Sequence, residues 1–227
     1  MGKLIVFEGT DGSGKSTQFR LLTERLKREN VNFYRLQFPQ YQEPSSALIR
    51  MYLGGEFGEN PDDVNAYAAS TFYAVDRYAS YVKTWGDYYR RGGLVLSDRY
   101  VTSNAVHQAV KVPPEERRAF LNWLYDLEYQ KMGLPRPDLV ICLDMPTHLA
   151  ARLMRGRAVS YTHLGALFSM ASVILLPASF QPTAATTNTR TTTTIRSIRL
   201  ILPNSFPFSS KTFNVFSSHE RSIVIWI

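Results

Sequence analysis

The sequence predicts an α/β fold of three layers, with helices on both faces of a parallel sheet, and three observations carry the prediction. Segments that read as strands recur at Leu4–Phe7, Val31–Phe38, Leu94–Ser97 and Leu139–Leu143, all but the second as short apolar runs. Segments of helical period separate them, giving the alternation expected of parallel crossover units. The first run also enters a glycine-rich turn that passes directly into an amphipathic segment.

That turn is Gly9-Thr10-Asp11-Gly12-Ser13-Gly14-Lys15-Ser16-Thr17, which satisfies the phosphate-loop pattern G-x-x-x-x-G-K-[ST] between a strand and a helix. Each residue type answers to the chemistry. The glycines allow a tight turn that brings backbone N–H groups to phosphate oxygens. The helix that follows offers unpaired N–H groups and the positive end of its dipole. Lys15 supplies a point charge, and the Ser16 hydroxyl suits a Mg²⁺ ion bridging the phosphates. The motif implies a bound nucleoside triphosphate.

Beyond the loop, Phe19, Leu22 and Leu26 fall on one face of a helix predicted from Lys15 to about Asn30. The second strand, Val31–Phe38, stops at Pro39. Phe38 and Tyr41 beside that turn either fill the core or line a ligand site at the carboxyl edge of the sheet. A short helix, Ser45–Leu53, follows Pro44. Asn60-Pro61-Asp62-Asp63 then predicts the start of a long helix running to about Arg91 and closed by Gly92-Gly93. On it Tyr73 and Arg77, four residues apart, share a face. They either stack on a base and hold a phosphate, or form a surface pair.

The strand Leu94–Ser97 ends in Asp98-Arg99-Tyr100. Asp98 is placed to hold Mg²⁺ through water, and Arg99 to bridge two phosphoryl groups; the plainer reading is a helix cap beside a surface arginine. Pro113-Pro114-Glu115-Glu116 opens a helix through Leu121, Trp123 and Leu127 to about Lys131. After the strand Leu139–Leu143 come Asp144, Pro146 and a helix capped by Thr147 that carries Arg152, Arg155 and Arg157.

The composition, 44% apolar and 20% charged over 227 residues, is that of a globular protein. The formal charge of +7 gathers partly in the C-terminal segment and partly where phosphorylated ligands need cations, so no nucleic-acid partner is expected. The single cysteine, Cys142, forms no disulfide within the chain, and neither a signal peptide nor a membrane span is expected, so a cytoplasmic location fits best. From about Ala158 the character changes. After Asp144 the only acidic residue is Glu220, and residues 183–194 are a threonine-dominated segment of low complexity. The chain therefore divides into a domain over 1–157 and an unrelated low-complexity tail over 158–227, in which no sustained period specifies order.

The loop, Phe38-Pro39-x-Tyr41, the Tyr73…Arg77 pair and Asp98-Arg99-Tyr100-x-x-Ser103-Asn104 stand in order, and with them residues 1–157 closely resemble thymidylate kinase. Asp11 inside the loop is a particular mark of that family. The resemblance implies a three-layer P-loop kinase fold, transfer of the γ-phosphoryl group of ATP to dTMP with Mg²⁺, and a homodimer. It places the loop residues 9–17 on ATP, Ser16 and Asp98 on the metal, and Lys15, Arg99, Asp11 and Asp98 at the chemical step. Asp11 would meet the sugar 3′-hydroxyl or the metal. Tyr73, rather than Phe72, would stack on thymine, and Arg77 would hydrogen-bond it. Phe38, Tyr41, Arg50, Leu53, Ser103 and Asn104 would line the rest of the dTMP site, while Gln40 stands where many relatives have arginine.

The family continues with a mobile lid, a further helix, a last strand and an adenine-contacting loop. Here Arg152, Arg155 and Arg157 begin the lid, and the C-terminal part of the fold is then missing or replaced. Val159–Leu164 resembles translated sequencing-adapter sequence, so the tail reads as frame-shifted or fused. Such a chain is expected to leave a sheet edge open and to turn over poorly. The alternatives are a non-catalytic nucleotide-binding remnant and a deoxynucleoside kinase.

Overall fold

The computed structural model describes residues 1–144 and 222–226. Strand β1, Lys3–Gly9, carries the unbroken apolar run Leu4–Phe7 because it lies inside the sheet, paired in parallel with a strand on each side. Its side chains feed two cores. Leu4 and Val6 pack with Phe38, Trp85, Tyr100 and Phe120 on one face, and Ile5 and Phe7 with Phe19 and Leu26 on the other. Those two cores make the three layers.

The remaining strands are β2 (Phe33–Gln37), β3 (Leu94–Asp98), β4 (Leu139–Asp144) and β5 (Ser222–Trp226), in the spatial order β2-β3-β1-β4-β5. The first four are parallel and β5 runs antiparallel to β4. The expectation of an open edge beside the last kinase-like strand is therefore corrected. Ser222-Ile-Val-Ile-Trp226 is a β-branched and aromatic run that pairs Ser222 with Asp144 and Trp226 with Val140, a local signal outweighed by the low complexity around it. The register sets Gly9 beside Leu143, and both Phe7 and Gln37 beside Asp98. The carboxyl ends of the parallel strands thus share one edge, where open parallel sheets bind ligands.

Helix α1, Lys15–Arg28, buries Phe19 and Leu26, with Phe19 edge-on to Phe7 at 5.2 Å. A 3-10 turn, Pro44–Ser46, leads into α2, Ala47–Leu53. The long helix begins later than its first sequence signal. Asn60 and Asp63 close a capping box around a single 3-10 turn, the chain extends at Val64, and Asn65 then caps α3, Ala66–Ser80, through the Ala68 N–H at 2.9 Å. A π turn over Tyr81–Trp85 carries the helix into α4, Gly86–Arg90.

Helix α5, Val101–Ala109, lies in a stretch with no element predicted from sequence. No residue of its own caps it. The carboxylate of Glu8, at the end of β1, accepts the N–H groups of Tyr100 (3.1 Å) and Ser103 (3.0 Å) instead. A cap supplied from more than ninety residues away leaves no local sequence signal. Helix α6, Arg117–Tyr125, continues into a second π turn, Asp126–Lys131, which places Glu128 in the interior. No helix among the described residues is long and apolar enough to cross a membrane. Arg152, Arg155, Arg157, the proposed lid and residues 158–221 lie outside the described residues.

Candidate active site

The phosphate loop leaves β1 at Gly9, where φ is +150° and a Cβ would stand 2.8 Å from the Leu143 carbonyl oxygen. It enters α1 through Gly14 in the left-handed region, at φ 86° and ψ 8°. Side chains are disfavoured at both corners. Between them the Ser13 N–H donates to the Thr10 carbonyl at 3.1 Å. The hydroxyls of Thr10 and Ser13 are buried without a hydrogen-bond partner. A turn that leaves two buried hydroxyls unsatisfied is not made only to hold itself together. Lys15 is buried with its ammonium on the Asp98 carboxylate, whereas Ser16 and Thr17 face solvent.

Arg99 sits next to this loop in a backbone conformation rare for its kind, with φ at +70°. Its surroundings impose that conformation. The Arg99 N–H donates to the Phe7 carbonyl at 2.9 Å, and its own carbonyl accepts the Ser97 hydroxyl at 2.6 Å. The guanidinium donates to Asp11 at 2.7 Å and to the Ser103 hydroxyl at 3.1 Å, and stands 3.4 Å from His107 Nε2. The Ser103 hydroxyl in turn donates to Glu8 at 2.5 Å. Burial raises the Glu8 carboxyl above its usual range, and the Arg99 charge partly offsets the rise. Burial and then the same charge lower His107 to about 4, so its ring is neutral at pH 7.

Helix α3 carries Tyr73, Asp76 and Arg77. The Tyr73 hydroxyl is held well above its ordinary pKa by burial first and then by Tyr41 and Tyr52, with Arg77 and Arg99 close enough to pull it back. Phe72 turns instead to Tyr52 and Phe57, with ring centroids 6.3 and 5.6 Å away. Arg77 is buried and makes a two-point pair with Glu128, Nε to Oε2 and Nη2 to Oε1, each 2.6 Å. Burial pulls the Arg77 pKa down, and the Glu128 carboxylate more than restores it. Asn104 Nδ2 donates to Glu128 Oε1 at 3.2 Å and to the Ser70 carbonyl at 3.1 Å, and its Oδ1 is buried without a partner. Asp76 fixes the loop after β2 by accepting the Gln40 N–H (2.8 Å) and the Ser45 hydroxyl (2.7 Å).

The structure thus brings Asp11, Lys15, Asp98, Arg99 and Ser103 together at the carboxyl edge of the sheet, with Tyr73, Arg77 and Asn104 on the helices above it. Other residues singled out by sequence have different surroundings. Phe38 is buried in the core with its ring 6.0 Å from that of Tyr100. Arg50 donates to the carbonyls of Tyr41 and Glu43 and to the Ser46 hydroxyl, which ties α2 to the loop before it. Tyr41 is exposed and Leu53 half-buried at the end of α2. The Gln40 amide donates to Ser80 at 2.9 Å.

Sequence reasoning missed Glu8, His107 and Glu128. Glu8 carried a signal, as an acid closing an otherwise apolar central strand. His107 follows Ser103 by one helical turn, and Glu128 is an acid on the inward side of a helix; both become legible only once the neighbouring elements are placed.

The profile of the thymidylate kinase family matches residues 7–164. The chain is 34% identical over 156 residues to the thymidylate kinase of Mycobacterium tuberculosis, covering 68% of this chain and 72% of that one. It is 33% identical over 157 residues to a probable thymidylate kinase of Thermococcus onnurineus, with the same coverage. The fold resembles that of the solved thymidylate kinase of Candida albicans at a TM-score of 0.52 and 24% identity, over 66% of each chain, just under two thirds. The phosphate loop and the family match agree: the chain belongs to the thymidylate kinase family.

Proposed function

We propose that this chain transfers the γ-phosphoryl group of ATP to dTMP, and one observation carries the reading. Arg99, held at a strained backbone angle, spans from the loop residue Asp11 to Ser103 on α5, so a fixed cation lies between the donor loop and the acceptor side. An oxygen of the dTMP phosphate attacks the γ-phosphorus, the bond from that phosphorus to the β-bridging oxygen breaks, and ADP leaves with the bonding pair. A phosphate nucleophile needs no general base, so the protein contributes position and charge.

Lys15 would exchange Asp98 for a phosphate oxygen, and the loop N–H groups and the Thr10 and Ser13 hydroxyls would complete the cradle. Arg99 would neutralise charge shared by the two phosphates. Tyr73 would stack on the base, Arg77 would donate to its carbonyl, and the unpartnered Asn104 Oδ1 would accept its N–H. Ser16 and the freed Asp98 are hard oxygen donors suited to Mg²⁺, which would enter with ATP and draw off negative charge from the β- and γ-phosphates.

The family match stops at residue 164 and the sequence reads as an unrelated tail after Arg157, so turnover is expected to be impaired even where dTMP binds. Val75, Tyr78 and Val82 form an exposed apolar stripe along α3 and its π turn, 42%, 45% and 58% accessible, which suits a second copy of this chain. A cytoplasmic setting, where ATP and dTMP are present, goes with this activity.

The test incubates the full chain with MgATP and either dTMP or thymidine and resolves the products by chromatography. The reading expects dTDP from dTMP and no dTMP from thymidine. Phosphorylation of thymidine alone would replace it with a deoxynucleoside kinase.

A further inference from the structure

Arg77, Asn104 and Glu128 form a buried polar cluster in which Glu128 is fully buried and Asn104 and Arg77 are each more than nine-tenths buried. Its chemistry fixes an orientation. An asparagine amide presents an oxygen at one end and an NH₂ at the other, and the two are interchangeable in shape. Here one end faces two groups that only accept, the Glu128 carboxylate and the Ser70 carbonyl. That end must be the nitrogen. A flipped amide would set oxygen against oxygen twice inside the core, leaving buried acceptors unsatisfied. The remaining end is therefore an acceptor, and it is buried with no protein partner.

The same carboxylate engages Nε and Nη2 of Arg77. Rotation of the guanidinium is blocked, and the group can offer only donors to whatever lies beside it. One glutamate thus sets two polarities at once, an acceptor at Asn104 and a donor at Arg77.

We infer that Glu128 is a specificity-positioning residue. By locking the Asn104 amide and the Arg77 fork, it makes the base site demand a ring N–H next to a carbonyl, the pattern of thymine and uracil, and refuse the inverse pattern of cytosine. This deepens the proposed acceptor site and rests on that reading. Glu128 does not touch the base; it acts through its two neighbours. A site built to pair a donor rejects an analogue lacking it far more strongly than a merely apolar pocket does.

The experiment has two arms on the full chain. In the first, calorimetry compares dTMP, dCMP and N3-methyl-dTMP on the unaltered protein. Fixed polarity predicts that both ligands without a ring N–H bind at least about thirtyfold more weakly than dTMP. Binding of dCMP within threefold of dTMP overturns the inference without any variant. In the second, Glu128→Gln places a donor in the cluster and Glu128→Asp keeps two acceptors.

Glu128→Gln is expected to lower the dTMP-over-dCMP preference at least about tenfold, with Glu128→Asp retaining most of it. A folded Glu128→Gln protein that keeps the full preference overturns the inference. If Glu128→Gln does not fold, the first arm and Glu128→Asp decide, a lost preference in folded Glu128→Asp also counting against it. Binding of dTMP without turnover would sink the proposed activity while leaving the polarity result intact.

Discussion

The phosphate loop and the buried cluster proposed to meet the base solve opposite problems. The loop is contiguous, residues 9–17, and keeps groups in reserve: two buried hydroxyls without partners and two exposed ones on the first turn of α1. The cluster draws Arg77, Asn104 and Glu128 from three helical segments, and most of its polar atoms are already spent on one another. The difference teaches what each ligand requires. A triphosphate brings its own charge and is met by donors that wait for it. A neutral base is distinguished only by pattern, and a pattern must be held rigid before the ligand arrives.

The sharpest way to break this comparison is to remove one half of the buried pair. Arg77→Met leaves the Glu128 carboxylate in the core without its cation, and is expected to cost about 3–5 kcal/mol in urea unfolding. A loss below about 1 kcal/mol would mean that the pair is not what organises the cluster, given the usual cost of breaking such pairs.

The loop should behave differently. Lys15→Ala is expected to reduce turnover about 10²–10³-fold, comparable to removing one preorganised donor at a reacting centre, while dTMP affinity by calorimetry stays within about threefold. An equal fall in dTMP affinity would show the two sites to be one coupled unit.

Between the two regions lies Arg99, and His107 beside it gives a pH signature. An unfolded histidine takes up its proton near 6.5, and the folded ring resists until about 4. The unfolded state therefore binds more protons between those values, and stability falls as pH drops from 6.5 towards 4. Glu8, raised by burial, acts in the opposite sense at the acid end, since its contribution is present at low pH and is lost as pH rises through its folded value. Urea midpoints at pH 7, 6 and 5 should fall more steeply for the unaltered chain than for His107→Gln. Parallel slopes would remove His107 from the account.

The smallest effect is expected on the outer face of α1. The Arg20–Glu24 pair is solvent-exposed on both sides, so Arg20→Ala should change stability by no more than about 0.5 kcal/mol. A larger loss would mean that surface charge contributes to the loop's anchoring helix.

The same contrast explains what could be read before the structure. The loop was legible because its chemistry is local: glycine spacing, lysine and hydroxyl occupy one stretch flanked by a strand and a helix. The layered fold was legible because β1, β3 and β4 are continuous apolar runs. Helix α5 was not, because its cap is Glu8, far away in the chain. Arg77 was found from its spacing to Tyr73, yet its partner was hidden, since a glutamate in a helix reads as solvated until a π turn brings it inward. Phe38 illustrates the converse: its position beside Pro39 suits either core or site, and the structure gives it core neighbours. The edge strand β5 was obscured by its surroundings, although its own five residues carry a strand signal.

The measurement that tests the account most directly is a pair of readings on one sample of the 227-residue chain. Calorimetry follows dTMP binding, and a coupled assay follows dTMP-dependent ADP formation beside Lys15→Ala. The account predicts that dTMP binds and that turnover is weak but lost in the Lys15→Ala protein. Absence of dTMP binding, or turnover that does not depend on Lys15, would contradict it.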